Sequence, residues 1–333
     1  MSDKRKRLHL ILLFAGLGAL TVLSLLLGRY PKPGFLPPGT LAHDPLSLRL
    51  FTGLRLPRVL SALLLGMSLG AAGLNFQMLF ANPLVEPGFL GVSQGSAFGA
   101  ALAIVLFGAR EAMIQVSAFV FAVAGLLLAF YLAHRIRYGG WILRLILSGI
   151  SVSALFTAAL GVIKYTADPL RELPEITFWL LGGLWGVTWG RLLSILPLCL
   201  PALFIMFLLR WRVNALSLHD EIIHSLGIAP RRERVLILGS AVAATASVIS
   251  LAGIVGWVGL IVPHVSRRLF NVNTQYSLPG AMLLGALFTL LCDDIARVVL
   301  AGEIPLGIIT SFLGAVLFLL LMVTKKVGRR GAR

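Results

Sequence analysis

Long apolar runs are the feature that most constrains how this chain folds. Three of the clearest are Leu8–Leu27, Met113–Ala133 and Leu306–Val323. Each has the roughly 20 residues that a helix needs to cross a hydrocarbon core of about 30 Å. Because lipid offers no hydrogen bonds, a spanning segment must satisfy its own backbone groups, and an α-helix does so. The sequence therefore predicts an all-α polytopic membrane protein.

Composition supports a single transmembrane domain over residues 1–333. The chain is 58% hydrophobic and 13% charged, whereas soluble domains average about 25% charged residues. No stretch has the composition of an appended soluble domain. We predict ten spans, an even number that puts both termini on one side, near residues 8–28, 58–76, 88–107, 113–133, 142–164, 191–209, 235–253, 255–269, 278–298 and 305–324.

The distribution of charge predicts the orientation. The net charge is +16, but no basic helix with interleaved aromatic residues lies outside the spans, so nucleic acid is not an expected partner. With a cytoplasmic N-terminus, most Lys and Arg residues fall inside, as the positive-inside rule requires. Tails 1–7 and 325–333 and the polar interruption Arg210–Arg234 are then cytoplasmic. The first run lacks a small-residue cleavage site, so we expect it to be retained.

Catalytic and metal-binding patterns are absent from the sequence. Cys199 and Cys292 stand alone without metal-ligand spacing. There is no GxSxG, no HExxH and no Gly-x4-Gly-Lys-[Ser/Thr] phosphate loop. We therefore expect no ATPase site of this chain's own, and no cofactor or metal held by it. Any ATP and Mg²⁺ would be bound by partner subunits.

Glycines recur at spacings that favour close helix packing. Gly66 and Gly70 form a GxxxG pattern, and Gly91, Gly95 and Gly99 form two more. A weak internal echo also exists. Arg-Val-Leu opens the second span at Arg58 and the seventh at Arg234. Because five spans separate the two, a true repeat would be inverted, as is common in transporters.

Ionisable residues near the end of the ninth span allow two interpretations. Asp293 and Arg297 are four residues apart and share a helix face. Charged residues within spans mark functional sites by default, and Asp293, Asp294 and Arg297 would then serve a self-sufficient, ion-coupled secondary transporter. An interfacial ion pair is the alternative. His264 has no second ligand at metal-binding spacing and is expected to be a packing or capping residue.

Several motifs in order resemble the FecCD permease family, the membrane subunits of importers for iron–siderophores, haem and cobalamin. The resemblance covers about residues 55–323. Over the same motifs, the chain is also similar to the cobalamin permease. It is carried by Arg55-Leu-Pro-Arg58, Gln77, Asn82-Pro-Leu-Val-Glu-Pro-Gly-Phe-Leu-Gly91, Trp179-Leu-Leu-Gly-Gly183, Leu226-Gly227, Gly259-Leu-Ile-Val-Pro-His264, Arg267, Asp293 to Arg297, and Glu303-Ile-Pro-Leu-Gly307.

This resemblance implies a type II importer fold and a set of partners. They are a second permease subunit, expected to be an identical chain, two cytoplasmic ATP-binding cassette subunits and an external solute-binding protein. The loop between the sixth and seventh spans, 217–232, would couple to the ATPase through Ser217, Glu221, Ser225, Leu226, Gly227 and Arg231. Arg55 and Arg297 would dock the binding protein. The structural and gating positions would be Asn82, Pro83, Pro87, Gly91, Pro263, His264, Arg267, Asp293, Glu303, Pro305 and Gly307.

The sequence thus predicts a permease subunit in a bacterial or archaeal inner membrane, surrounded by lipid. The expected cargo is an iron complex, with an iron–siderophore first and haem or cobalamin next. The pathway wall is expected on the fifth span, residues 148–164, and on the tenth. Asp294 departs from the family pattern, in which an apolar residue commonly follows the first aspartate, and its charge has no explanation in the sequence.

Overall fold

A computed structural model describes residues 2–30, 34–37, 39, 43–108, 110–218, 223, 227, 229–299 and 302–324. Apart from one two-residue β pairing, β1 Leu27–Gly28 with β2 Gly34–Phe35, the regular elements of these residues are helical. The coupling residues Glu221, Ser225 and Leu226 and the tail 325–333 lie outside the described residues.

The first half of the chain forms seven α-helices, two of which are short. They are α1 Asp3–Leu26, α2 Pro45–Leu50, α3 Leu56–Leu79, α4 Val92–Phe107, α5 Glu111–Arg135, α6 Trp141–Thr166 and α7 Glu172–Leu181. Between α2 and α3 the helix continues through a π-helical turn, Phe51–Arg55, and a 3₁₀ turn, Pro87–Leu90, precedes α4.

The second half supplies six more. They are α8 Trp189–Leu208, α9 Arg210–Leu216, α10 Pro230–Ala252, α11 Val258–Phe270, α12 Thr274–Val298 and α13 Leu306–Thr324. Each of the ten predicted spans contains one of these helices. Among the described residues, eight helical segments are long and apolar enough to cross a membrane, whereas α4 and α11 are shorter. Helices α2, α7 and α9 lie in segments predicted as loops.

Burial separates central from peripheral helices. We compared the most apolar 18-residue stretch of each segment. In residues 45–79, which end with α3, and in α10, 78% of that stretch is buried, against 6% in α1 and 17% in α13. Helices α3 and α10 also open with the Arg-Val-Leu echo. They begin at opposite ends of the bundle, which is the relation that an inverted repeat requires. Their central position explains why both are rich in small residues.

The glycine patterns produce close helix crossings, as predicted. A Cβ at Gly66 would clash with the carbonyl oxygen of Gly285 in α12, and a Cβ at Gly73 would clash with that of Gly259 in α11. Between α4 and α5, the hydroxyl of Ser117 donates to the carbonyl oxygen of Gly99 at 2.7 Å. Such contacts let dispersion and weak polar interactions hold helices together in lipid, where the hydrophobic effect between them is lost.

The two ends of the bundle differ in charge. We call one the basic end: it contains the starts of α1, α10 and α12 and the end of α5. There Lys6 lies over the Tyr276 ring at 5.0 Å, and Arg231 Nη2 lies 3.1 Å from His134 Nε2. At the other end, here the paired end, most of the carboxylates lie, and several of them form ion pairs with arginines.

Candidate functional site

Non-helical backbone enters the bundle between α3 and α4. Phe80 packs on Trp141 at the start of α6, with ring centroids 5.9 Å apart. Gly91 instead lies against Val152, eleven residues further along α6. At 1.5 Å per residue this is a rise of about 16 Å. Residues 80–91 therefore run deep into the bundle, and they do not form a short turn at its surface.

Individual residues explain this path. The side chain of Asn82 accepts a hydrogen bond from the backbone N–H of Leu84 at 2.9 Å, which stabilises a turn next to Pro83. Pro87 begins the 3₁₀ turn and packs against Gly259. Gly91 has φ +82°, a left-handed conformation that residues with a Cβ adopt at a cost. The sequence motif over 82–91 thus encodes a break and a re-entry.

A second break separates α10 from α11, and it meets two other helix ends. Gly183 N–H donates to the carbonyl oxygen of Ala252 at 2.7 Å. A Cβ at Gly307, at the start of α13, would clash with the carbonyl oxygen of Leu181. The ends of α7 and α10 and the start of α13 therefore lie in direct backbone contact. Irregular backbone within a membrane protein is tolerated where it is buried or lines a cavity.

A cavity of about 710 Å³ opens where these segments meet. We call it the central cavity. Its polar side chains are Glu86 and Ser311, and the rest of its wall is apolar or glycine. Its lining comprises Leu84, Glu86, Phe89, Leu180, Leu181, Ile254, Gly256, Trp257, Leu260, Gly307, Ile308 and Ser311. Helix α13 lines this cavity, and among the described residues α6 does not. The prediction that the fifth and tenth spans form the pathway wall stays a prediction.

Glu86 connects the two non-helical segments. Its carboxylate lies beside the backbone N–H of Trp257. Trp257 has φ +71°, which is uncommon for a residue with a large side chain. The Trp257 ring also packs edge-on against Phe318 of α13, with centroids 6.2 Å apart. Glu86 thus holds the strained start of α11 in place beside the cavity.

Helix α11 is tied to α3 below the cavity. Gln77 Nε2 donates to the carbonyl oxygen of Leu260 at 3.1 Å, and its Oε1 accepts from Arg267. His264 Nδ1 lies 2.8 Å from the same Leu260 carbonyl oxygen and its ring packs on Phe318. Pro263 lies inside α11, where its missing N–H leaves the carbonyl oxygen of Gly259 without its helical donor, and Gln77 Nε2 lies 3.5 Å from that oxygen.

The ionisable residues of α12 form a network at the paired end. Arg58 Nε and Nη2 donate to Asp293 at 2.9–3.2 Å, and Arg58 Nη1 donates to Glu303 at 2.9 Å. Arg297 pairs with Asp294 and lies 3.6 Å from Asp293. The pairing of Asp293 with Arg297 was predicted. The network joins α3, α12 and the segment that enters α13 through Pro305.

Asp294 also acquires partners that the sequence does not indicate. Ser24 of α1 donates its hydroxyl to Asp294 Oδ1 at 2.7 Å, and Arg297 Nη2 donates to the Ser24 carbonyl oxygen at 2.6 Å. The extra charge of Asp294 therefore serves to attach α1 to α12. Ser24 and Arg58 are functional candidates that the sequence analysis missed. Arg58 stood in the Arg55-Leu-Pro-Arg58 motif, but Ser24 had no local signal.

The two predicted docking arginines occupy different environments. Arg55 is half-buried and donates to the carbonyl oxygens of Tyr30 at 3.0 Å and Leu25 at 3.4 Å. Arg297 is 6% exposed and its guanidinium is enclosed by the network just described. In this chain alone, Arg55 is accessible from outside and Arg297 is a structural ion-pair partner.

The predicted coupling segment follows α9, whose side chains contact α10 and the start of α12. Arg212 pairs with Glu233 of α10, and Asn214 Nδ2 donates to Asn273 Oδ1 at 3.0 Å. Thr274 Oγ1 donates to Asn214 Oδ1 at 2.7 Å. Asn214 is a further residue that the sequence analysis missed.

Three of the predicted coupling residues, Ser217, Gly227 and Arg231, lie within the part of the chain that the structure describes. Ser217 donates to the Asn214 carbonyl oxygen at 2.7 Å, Gly227 has φ +72°, and Arg231 faces His134.

Among the described residues, no three His, Cys, Asp or Glu side chains are grouped to hold a metal ion.

Comparisons with known proteins agree over nearly the whole chain. The FecCD transport family matches residues 11–324. A molybdate import system permease protein of Haemophilus influenzae is 38% identical over 92% of this chain and 93% of its own length. A probable iron chelatin transport system permease protein of Helicobacter pylori is 42% identical over 81% of each chain.

A solved structure is similar as well. It is an inward-facing conformation of a putative metal-chelate type ABC transporter, with a TM-score of 0.87 and 37% identity, covering 95% of this chain and 98% of that one. Family motifs, helix order and the re-entrant segments all fall within the matched region, and the chain belongs to the FecCD transport family.

Proposed function

We propose that this chain is the membrane subunit of an ATP-driven importer in a bacterial or archaeal inner membrane. Family membership supports the assignment, and the similar proteins are described as permeases or as an ABC transporter. Since the sequence has no phosphate loop, ATP hydrolysis belongs to two separate cassette subunits. An external solute-binding protein would deliver the cargo, and a second copy of this chain would complete the pathway.

The proposed cargo is an iron complex, with an iron–siderophore first and haem or cobalamin next. The observation that carries this choice is the central cavity, about 710 Å³ with a largely apolar wall. A bulky complex with an organic shell passes such a wall without being held tightly. A small oxyanion such as molybdate would need hydrogen-bond donors or cations, but the one charged side chain among the described lining residues is Glu86, which repels anions.

In the proposed mechanism, the chain supplies movement and no covalent chemistry. ATP binding closes the cassette subunits, and segment 217–232 carries that motion to the bundle. The breaks at 80–91 and 253–257 lie beside the cavity, where irregular backbone can absorb changes in φ and ψ. Rigid helices then move about these points, as in other hinge-type transitions. The basic end faces the cytoplasm in this scheme, because positive charge accumulates on that side.

The alternative, an ion-coupled secondary transporter, would use Asp293, Asp294 and Arg297. Each of these carboxylates already pairs with an arginine. Such pairing opposes a mechanism in which the carboxylate binds and releases an ion on every cycle, because breaking a buried pair costs about 3–5 kcal/mol. The network is better suited to holding helices together.

The test is uptake by proteoliposomes that contain the chain with its cassette subunits and binding protein. We expect ATP-dependent uptake of a ferric siderophore, haem or cobalamin, and none of molybdate. Gradient-driven uptake by the chain alone would overturn the importer assignment, and molybdate uptake would overturn the cargo class.

A matched pair of variants tests the cavity directly. Ile308→Trp fills the central cavity from α13, whereas Leu319→Trp adds the same ring on the same helix, at a site that is 64% exposed and outside the cavity. We expect Ile308→Trp to reduce uptake of a bulky complex at least tenfold and Leu319→Trp to leave it unchanged. Equal uptake by both would show that the cargo does not pass this cavity.

A further inference from the structure

Three hydrogen bonds attach the short helix α9 to the start of α12. Asn214 Nδ2 donates to Asn273 Oδ1 at 3.0 Å. Asn214 Oδ1 accepts from the backbone N–H of Thr274 at 3.0 Å and from the Thr274 hydroxyl at 2.7 Å. Both ends of one side-chain amide are therefore bonded to the first residues of a single helix. We call this contact the Asn214 joint.

The surroundings of the joint are closely packed. Thr274 is 0% exposed. In α9, Val213 and Leu216 are also buried and lie in the hydrophobic core. Asn273 caps α12, since its Oδ1 also accepts a backbone N–H of the first turn of that helix at 3.0 Å. Because α9 is packed on the core and bonded to this cap, it cannot shift without shifting the start of α12.

The joint adjoins the segment that the proposed function assigns to ATPase coupling. Segment 217–232 leads directly from α9 into α10. Ser217, its first residue, donates to the Asn214 carbonyl oxygen at 2.7 Å. Arg212 pairs with Glu233 and so connects α9 to α10, the two helices that flank the segment. The Asn214 joint instead connects the segment to a third helix.

Helices α10 and α12 end at different parts of the molecule. α10 ends at Ala252, and the break 253–257 that follows it lies beside the central cavity. α12 continues without interruption from Thr274 past Asp293, a rise of about 28 Å at 1.5 Å per residue. Asp293 pairs with Arg58 at the paired end, where the binding protein is proposed to dock. Motion that enters through the joint therefore reaches the docking end, whereas motion that enters through α10 reaches the cavity.

Contacts along α12 hold it tightly against α3. The Thr289 hydroxyl donates to the Ala62 carbonyl oxygen at 2.8 Å, and a Cβ at Gly285 would clash with the carbonyl oxygen of Gly66. Since the two backbones touch, displacement of one helix is passed to the other. Rigid elements of this kind carry coupling between distant sites when both sites bias their position.

We propose that Asn214 is a positioning residue through which the nucleotide state of the ATPase subunits and the docking of the binding protein affect each other along α12. The inference rests on the proposed function and adds to it a route that is separate from α10. Coupling between two binding sites is reciprocal. The nucleotide therefore changes the affinity for the binding protein by the same factor by which the binding protein changes the affinity for the nucleotide.

The test measures the affinity of the solute-binding protein for the transporter, assembled in nanodiscs from this chain and its cassette subunits, with and without a non-hydrolysable ATP analogue. The ratio of the two affinities is the nucleotide effect. Asn214→Ala removes all three hydrogen bonds and should reduce the nucleotide effect about fivefold, the low end of typical coupling between two sites. The nucleotide-free affinity should stay the same, because no docking residue is altered.

Variants of α12 separate the joint from other effects of substitution. Thr274→Val removes only the hydroxyl from a side chain of the same shape and should cause a smaller loss. Thr274→Ser keeps both donors to Asn214 and should retain the nucleotide effect. Gln275→Ala is the matched control, because Gln275 lies in the same turn but is exposed, and it should change nothing. Equal nucleotide effects in Asn214→Ala and Gln275→Ala, or none in the unsubstituted transporter, would overturn the inference.

Hydrogen exchange of the Thr274 backbone N–H reports the joint directly. This N–H is in the first turn of α12, where N–H groups have no acceptor within the helix, so its protection comes from Asn214. Exchange in Asn214→Ala should be about fivefold faster, with the rest of α12 protected as before. Unchanged exchange would show that the joint does not form. If Asn214→Ala loses protection throughout α12, it is misfolded, and the nucleotide effect of Thr274→Val decides the outcome.

Uptake measured on the same preparations separates this inference from the proposed function. ATP-dependent uptake by the unsubstituted transporter, together with an unchanged nucleotide effect in Asn214→Ala, would overturn the route through α12 and leave the importer assignment intact. Absence of ATP-dependent uptake by the unsubstituted transporter would overturn the importer assignment and the inference with it.

Discussion

Arg58 donates three hydrogen bonds to Asp293, which is 0% exposed, and so joins the start of α3 to the last turns of α12. The two residues are 235 positions apart in the chain. Arg58 also bonds to Glu303, and Asp293 also lies near Arg297. At the paired end of the bundle, these ion pairs therefore form one continuous network, in which Asp293 lies between Arg58 and Arg297.

Removing the carboxylate of Asp293 should destabilise the protein strongly. In Asp293→Asn, Arg58 and Arg297 lose a shared buried partner, and the expected loss of unfolding free energy is about 3 kcal/mol or more. Thermal unfolding in detergent measures the effect. Asp3→Asn is the control: it breaks a pair with Lys6 in which the carboxylate is exposed to solvent, and such a pair contributes about 1 kcal/mol or less. Similar losses in both variants would contradict a structural role for the network.

The crossing of α3 and α11 should tolerate no side chain. Gly73→Ala places a methyl group against the carbonyl oxygen of Gly259, so the backbones must separate, at an expected cost of about 1–3 kcal/mol. Gly239 in α10 is the control, because a Cβ atom built there has no other atom within 4 Å. Gly239→Ala should therefore stabilise the helix by about 0.5–1 kcal/mol. A neutral Gly73→Ala would show that the helices are not in contact there.

Glu86 should matter as a hydrogen-bond acceptor more than as a charge. Glu86→Ala removes the carboxylate that lies beside the backbone N–H of Trp257, and an N–H that is left without an acceptor costs about 1–3 kcal/mol when it is buried. Glu86→Gln keeps an acceptor oxygen and should restore most of the stability. If both variants are equally unstable in thermal unfolding, the charge of Glu86 is what stabilises this region.

The two proposed docking arginines should behave differently on charge reversal. Arg55→Glu should weaken binding of the solute-binding protein about tenfold with a small loss of thermal stability, because Arg55 is half-buried and donates to two backbone carbonyl oxygens. Arg297→Glu should lower stability as well, since its guanidinium is enclosed by Asp294 and Ser24. Binding titrations and melting curves on the same samples separate the effects. Unchanged affinity for Arg55→Glu would remove its docking role.

Gly227 tests the coupling segment. Its φ of +72° is accessible to Gly and, at small cost, to Asn, but not to a β-branched residue. Gly227→Val should uncouple transport, with substrate-stimulated ATP hydrolysis reduced and binding-protein docking retained, whereas Gly227→Asn should stay active. Normal uptake by Gly227→Val would show that this turn does not transmit motion from the ATPase.

The sequence by itself determined the membrane class, the positions of the apolar helices and the family, because these depend on local composition and short motifs. Hydropathy over about 20 residues is sufficient to predict a helix in lipid, and each predicted span contains one. The pairing of Asp293 with Arg297 was also predictable, since the i, i+4 spacing acts within one helix.

Tertiary structure alone decided the depth of residues 80–91, the partners of Asp294 and the burial of Arg297. The prolines at 83 and 87 specify a break in the helix but not its distance from the membrane surface. Ser24 and Asp294 are 270 positions apart, and no local pattern joins them. Long-range contacts between helices set these features, since in lipid the packing of neighbours determines where each polar group finds a partner.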